Sequence, residues 1–231
     1  MTASCCMLHK RRHADYKRRQ DRSLLYFSSS SPQLTSKISI MADVISQPIT
    51  FPNSKKTAPN RLLKSAMTER LCSYDHDNLD ERGKPTEAYR KLYEEWAKGG
   101  TGIIVLGNMP CDRTHLEAMR NAVLDPDNPW DPVEAFKPTI AAAKSHGALV
   151  IGQVTHGGRQ TPNVVNKHPI SSGDLGTPPL GGALEFAKPR PATIDEIHDI
   201  VRRFAFAGKA LYDAGADGMQ FHSAHGYLLS Q

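Results

Sequence analysis

The chain has 231 residues, 39% hydrophobic and 23% charged, enough for one large α/β domain or two small ones with a buried core. Its net charge of +5 is concentrated in residues 1–40, where eight basic side chains face two aspartates (+6), which leaves −1 for the rest and no basic footprint of a nucleic-acid-binding domain. No apolar run reaches the ~18 residues of a membrane span, and Cys5, Cys6, Cys72 and Cys111 have neither disulfide-framework density nor zinc spacing, so a reducing, cytoplasmic compartment is expected.

Residues 1–40 read as a disordered basic arm, with Lys10, Arg11, Arg12, Lys17, Arg18, Arg19, Arg22 and Lys37, the run Ser28 to Ser31, and little apolar periodicity. Three readings of it stay open: an organellar transit peptide, an arm that binds RNA or phosphate, or a reading frame extended upstream of a start at Met41. Residues 41–231 form the domain.

From residue 61, short apolar runs alternate with longer helical stretches, the pattern of βα units on a parallel sheet. Four strands are expected: Arg61 to Ala66, Gly102 to Leu106, Ala148 to Val154 and Asp217 to Phe221. The middle two are nearly continuous apolar runs, as burial on both faces demands. The first helix presents Tyr89, Leu92, Tyr93, Trp96 and Ala97 on one side and stops at Gly99-Gly100. A second begins at Pro132 or Pro138 and ends at His146-Gly147. The third opens on a capping box, Thr193-Ile194-Asp195-Glu196, and carries Ile194, Ile197, Ile200, Val201, Phe204 and Leu211 as a stripe to cover the sheet. Between the third strand and this helix, the connection Thr161 to Ala192 holds six prolines and four glycines. A loop of that length in a compact domain is usually functional, and this one is expected over the strand ends.

Each strand ends in polar groups: Ser65-Ala66-Met67-Thr68, then Gly107-Asn108, then Gln153 and His156 to Arg159, then His222, His225 and Tyr227. In parallel α/β folds the carboxyl edge of the sheet is where ligands bind. The groups are mostly neutral donors and acceptors, with Glu69 the one carboxylate, which suits a planar hydrogen-bonding cofactor better than metal-assisted hydrolysis. Taken singly, Tyr227 reads as a rim aromatic, Gln153 as a satisfied polar residue, Gly107 as a turn former and Thr68 as a strand-end threonine. His156 and Arg159 read as ties between strand and loop, Cys72 and Cys111 as inert thiols. The pair His222 and His225 lacks a third zinc ligand, so no metal is expected.

Asn60-Arg61 through Met67-Thr68, Gln153 through Arg159 and Asp217 through Leu229 resemble, in order and spacing, the motifs of the old yellow enzyme family, flavin-dependent NAD(P)H oxidoreductases on a TIM barrel. The resemblance runs from about Ile49 to Gln231, and His-x-x-His-Gly-Tyr is its most specific part. It implies FMN as cofactor, with NADH or NADPH as reductant. Ser65, Ala66, Met67 and Thr68 would lie along the flavin, with the Thr68 hydroxyl near flavin O4. Gly107 would admit the ring close to the backbone, and Gln153 would offer its amide to the pyrimidine edge. His222 and His225 would bind the carbonyl oxygen of a small α,β-unsaturated substrate, and Tyr227 would protonate the alkene. The implied reaction is reduction of an activated C=C bond.

Ala66 stands where the family commonly has proline, Glu69 where arginine or another residue is more usual, and Gln220 where glutamate is frequent. The fold class that follows is a TIM (β/α)8 barrel truncated after about the fourth strand. Four strands cannot close a barrel of eight, so an apolar flank and an unpaired edge are expected to face water. A homo-oligomer or a complementing half-barrel would cover them. The alternative function is a catalytically inactive half-barrel that needs such a partner.

Overall fold

Alternating apolar runs and amphipathic helices build one parallel sheet with a helical layer against it. A short antiparallel hairpin, β1 (Ile49–Thr50) and β2 (Thr57–Ala58), precedes it. Then come β3 (Leu63–Lys64), α1 (Glu87–Lys98), β4 (Ile103–Pro110), α2 (Pro132–Lys144), β5 (Leu149–Thr155), the short parallel pair β6 (Ile170–Ser171) and β7 (Arg190–Pro191), α3 (Ile194–Asp213) and β8 (Gly218–Phe221). The structure is a computed structural model that describes residues 43–178 and 185–231; the expected arm, residues 1–40, lies outside the described residues. All of these elements belong to the unit Ser46–Gln231.

The sheet order is β3-β4-β5-β8, every neighbour parallel, with Leu63 beside Ile103, Ile103 beside Leu149, and Ile151 beside Gly218. These are four successive strands of the barrel architecture expected from the motifs. Strand side chains alternate between faces. Ile104, Leu106, Val150 and Val154 are buried in the core with Tyr89 and Tyr93 of α1, Phe136 and Ile140 of α2, and Phe204 and Leu211 of α3. At Gly152 a Cβ would fall 2.4 Å from Leu211 Cδ1, so its missing side chain lets α3 approach β5 closely.

Several boundaries differ from expectation. The first strand shortens to Leu63–Lys64, because the Asn60 side chain takes the Leu62 N–H and bonds Gly100 O, while from Ser65 the chain peels away until Met67 N–H reaches Gly107 O. The second strand runs past Leu106 to Pro110: the register breaks at Gly107-Asn108, and pairing resumes at Met109–Val154 and Pro110–Thr155. Helix α2 starts at Pro132, capped by Asp131, and Pro138 lies inside it on an exposed position where the carbonyl it leaves unbonded meets water. The expected stripe of α3 splits. Ile200, Phe204, Ala207 and Leu211 are buried, but Ile194, Ile197 and Val201 lie about a quarter of a turn away and are exposed, with Tyr212 beside them.

Polar ties close the frame. Asp217, ahead of β8, accepts from the Val150 N–H at 2.9 Å and from Lys56 and Lys144 at 2.8 and 2.9 Å. Burial pushes its carboxyl upward, but these three donors outweigh burial and hold it below the ordinary range. Arg203 of α3 bonds Asp125 and Asp127 in the loop after β4, at 2.6 Å each. At the amino ends of the strands, Phe51, Pro52, Ile103, Leu149 and Ile151 line a cavity of about 310 Å³. The polar strand ends lie at the opposite edge. Leu62 and Leu63 at the β3 edge and Phe221 at the β8 edge are exposed.

Candidate functional site

The strand ends converge because the register aligns them. Met67 N–H donates to Gly107 O at 2.6 Å, and His222 N–H donates to Val154 O at 2.9 Å. At Gly107, with φ +103°, a Cβ would lie 2.8 Å from Met109 N and 2.9 Å from Gln153 O, so the sheet itself demands glycine there. Ser65, Ala66, Met67, Thr68, Gly107, Gln153 and the His222 segment therefore share one edge.

Below that edge the Gly107 N–H is shared between the Tyr93 hydroxyl oxygen at 3.1 Å and Glu69 Oε1 at 3.2 Å, and the Tyr93 hydroxyl donates to the same Glu69 oxygen. Glu69 thus braces the irregular turn of β4. Burial raises its carboxyl above the ordinary range, against the opposing Tyr93 hydrogen bond. Lys64, with its ammonium 4.0 Å from the Trp96 ring centre, is lowered by burial to about 8.

Thr68 Oγ donates to Glu117 Oε2 at 2.8 Å. Asn121 Nδ2 approaches the same oxygen at 3.3 Å and Asn108 Oδ1 at 3.2 Å. Glu117 and Asn121 carry no periodic signal in the irregular stretch after β4, and the sequence reading missed both. On β5, Gln153 Nε2 donates to Gln220 Oε1 at 2.8 Å, so Gln220 works as an amide acceptor in the place where glutamate is frequent.

At the end of β8, the His222 ring packs edge-on against Tyr227, with centroids 4.7 Å apart, and against His225 at 5.2 Å. His222 is buried and its Nδ1 has no hydrogen-bond partner among the described residues. Burial, then the neighbouring His225, lowers its pKa, so the ring is neutral at pH 7. Burial, reinforced by Glu117, raises the Tyr227 phenol well above its ordinary value, which keeps its proton in place.

The donor set fits a flavin in part. A planar imide needs a donor and an acceptor at one position, and Gln153 commits one N–H to Gln220 while its carbonyl oxygen and second N–H have no protein partner among the described residues. Thr68 departs from the expected role: its one proton goes to Glu117, leaving only lone pairs for a ring carbonyl.

Asp112, His115 and His156 form a second cluster, with the two rings stacked at 4.5 Å. His115 Nε2 accepts the Ile170 N–H and His156 Nδ1 accepts the Gly158 N–H. Those backbone donors place the ring protons on His115 Nδ1, 2.7 Å from Asp112 Oδ2, and on His156 Nε2, 3.6 Å from the same oxygen. Metal-bound histidines normally donate their second nitrogen to an acceptor, so this cluster does not suit a metal. It ties the loop after β4 to the end of β5. Burial, then His115, lowers His156 to about 4. His156 ties the end of β5 to its loop, as the sequence suggested, through the Gly158 N–H on its Nδ1, whereas the Arg159 N–H bonds Gln231 in the segment after β8, which also places its Leu228 N–H on His156 O. The long connection reaches the same edge, with Ser171 Oγ 2.5 Å from Gln231 Oε1. Cys72 and Cys111 are free, buried and raised by burial.

Residues 45–231 match the family described as NADH:flavin oxidoreductase / NADH oxidase. An NADH-dependent flavin oxidoreductase of Aspergillus parasiticus is 40% identical over 191 residues, 81% of this chain and 43% of that protein. The 12-oxophytodienoate reductase 1 of Oryza sativa subsp. japonica is 39% identical over 104 residues, 43% of this chain and 27% of its own length. The old yellow enzyme homologue from Zymomonas mobilis superposes with a TM-score of 0.67 at 26% identity, over 80% of this chain and 49% of that structure. The chain spans less than half the length of each of these relatives.

The buried His156 carries a pH signature. Its folded pKa of about 4 lies below the ordinary value of 6.5, so on acidification the unfolded chain takes the proton first and stability falls between pH 6.5 and 4. The loss amounts to about 3 kcal/mol, the 2.5-unit gap at 1.36 kcal/mol per unit. Denaturant unfolding at pH 7 and pH 4.5 is expected to show a smaller loss in His156→Gln than in the parent; equal losses would contradict the assignment.

Proposed function

Because the chain belongs to the NADH:flavin oxidoreductase / NADH oxidase family, we propose that it provides the ligand-facing edge of an NADH- or NADPH-dependent reductase of activated C=C bonds. The observation that carries this reading is the meeting of His222, His225 and Tyr227 at the end of β8. The family uses FMN with a nicotinamide reductant. Bound here, FMN would supply the hydride. Ser65, Ala66, Met67, Thr68, Gly107 and Gln153 would hold it.

The rest of the chemistry belongs to side chains. A small α,β-unsaturated carbonyl compound would set its oxygen against His222 and His225. A neutral imidazole donates one N–H without the cost of a buried cation, and such a donor aimed at an oxygen that gains negative charge stabilises the transition state more than the ground state. Tyr227 stands beside His222 and is protonated at neutral pH, so it has a proton to deliver to carbon as charge accumulates there.

The uncovered edges favour a partner. Phe221 on β8 and Ile194, Ile197 and Val201 on α3 are exposed apolar residues, and the outer edge of β8 has no neighbouring strand among the described residues. A second copy of the chain or a complementing half-barrel would cover it, and the inactive-alone reading is the consequence of leaving it bare. The cysteine usage favours a cytoplasmic location, and among the described residues no helix is long and apolar enough to cross a membrane.

Tyr227→Phe is expected to slow alkene reduction by roughly 10²-fold or more while flavin reduction by NADH or NADPH stays within about twofold; equal loss of both half-reactions would contradict the proton-donor role. In sedimentation, the FMN-loaded chain is expected to run as an assembly of two or more copies. A monomer that binds FMN alone would contradict the partner.

A further inference from the structure

The function proposed above gives no part to Glu117, a carboxylate bonded to Thr68 at this edge. Glu117 follows β4 and is half-buried. Its Oε2 accepts from Thr68 Oγ at 2.8 Å and lies 3.3 Å from Asn121 Nδ2. Asn121 is fully buried and is itself pinned, its Oδ1 taking the Ala118 N–H at 2.7 Å and its Nδ2 within 3.2 Å of Asn108 Oδ1. Thr68 closes the other side from the end of β3. The carboxylate is therefore held by Thr68, past the end of β3, and by Asn121, in the loop after β4.

Both holders are neutral. Hydrogen bonds from a hydroxyl and an amide orient a carboxylate but leave its charge in place. Among the described residues, Glu117 makes no ion pair. Its field reaches the end of β8, where it opposes the burial-driven fall of His222 and adds to the rise of Tyr227.

We propose that Glu117 is a specificity-determining residue of this edge: a fixed anion that selects neutral or cationic unsaturated carbonyl compounds against those that carry a carboxylate. This rests on the function proposed above. A ligand oxygen placed on His222 and His225 brings the rest of a small molecule to the edge where Thr68 and Asn121 hold Glu117. At a half-solvated edge, repulsion between two unit charges several ångströms apart corresponds to roughly a ten-fold difference in affinity. A purely structural Glu117, serving only to tie Thr68 to Asn121, would have no such effect, because glutamine retains an acceptor oxygen for both donors.

The test uses the full 231-residue chain with FMN and two probes of one shape, 3-oxocyclohex-1-ene-1-carboxylate and its carboxamide, with dissociation constants measured for the parent and Glu117→Gln. The parent is expected to prefer the carboxamide by roughly ten-fold, and Glu117→Gln to lose most of that preference by gaining affinity for the carboxylate while holding the carboxamide within about twofold. An unchanged preference overturns the proposal. If the parent binds neither probe, the proposed function fails instead, and the NMR titration of His222 in the ligand-free chain decides for Glu117. A lower His222 midpoint in Glu117→Gln supports the fixed anion at this edge, and an unmoved one overturns it.

Discussion

The parallel pairing of β4 with β5 and of β5 with β8 is the constraint on which the other features depend. Parallel strands finish at the same edge, so whatever each strand carries at its carboxyl end is delivered to one place. Pairing of Met109 with Val154 and Pro110 with Thr155 resumes beyond the break at Gly107-Asn108, and the His222 N–H then continues the ladder from Val154. The register is kept at the far end by Asp217 on β5 and Lys144, and at the centre by α3 closing onto Gly152. A slip of one residue would send Gln153 to the helical face and Val154 to the open one.

On that frame, burial and charge are balanced differently at each titratable group. Glu69 is enclosed under Gly107, and burial dominates its environment. Asp112 is also enclosed, yet two imidazole N–H groups outweigh burial and hold its carboxyl well below the ordinary range. His222 loses its positive form to burial, and Tyr227 keeps its proton for the same reason. The edge thus combines neutral donors with the carboxylate of Glu117, whose hydrogen-bond partners among the described residues are a hydroxyl and an amide. That balance suits the recognition of a carbonyl oxygen better than the binding of a metal cation, because the imidazoles of the Asp112 cluster have their protons fixed by backbone donors.

Much of this was legible in the sequence where a local rule governs. The capping box Thr193–Glu196, the stop at Gly99-Gly100 and the apolar runs of β4 and β5 are short-range signals, and each forms in its place, although β4 runs on to Pro110. The polar strand ends were legible as a set because period-two strands in parallel order bring them to one edge. What could not be read came from contacts across the chain. Which of the α3 apolar residues meet the sheet depends on where α2 and the strands lie, so Ile194 and Val201 were assigned to a face they do not share. Glu117 gives no sign of facing Thr68, 49 residues away. The expected Thr68 donor therefore met a competitor that spacing could not reveal. Glu69 looked like a departure from the family pattern, and its reason, the turn at Gly107, lies 38 residues away.

On the proposed function, the carboxyl edge of these four strands is a flavin-binding face with Gln153 at its centre. The most direct measurement is gel filtration of the purified chain with FMN, following protein and visible flavin absorbance together, for the parent and for Gln153→Leu. The account predicts flavin absorbance that travels with the parent protein and is lost or sharply reduced in Gln153→Leu. Flavin that separates entirely from the parent, or that travels equally with both proteins, would contradict it.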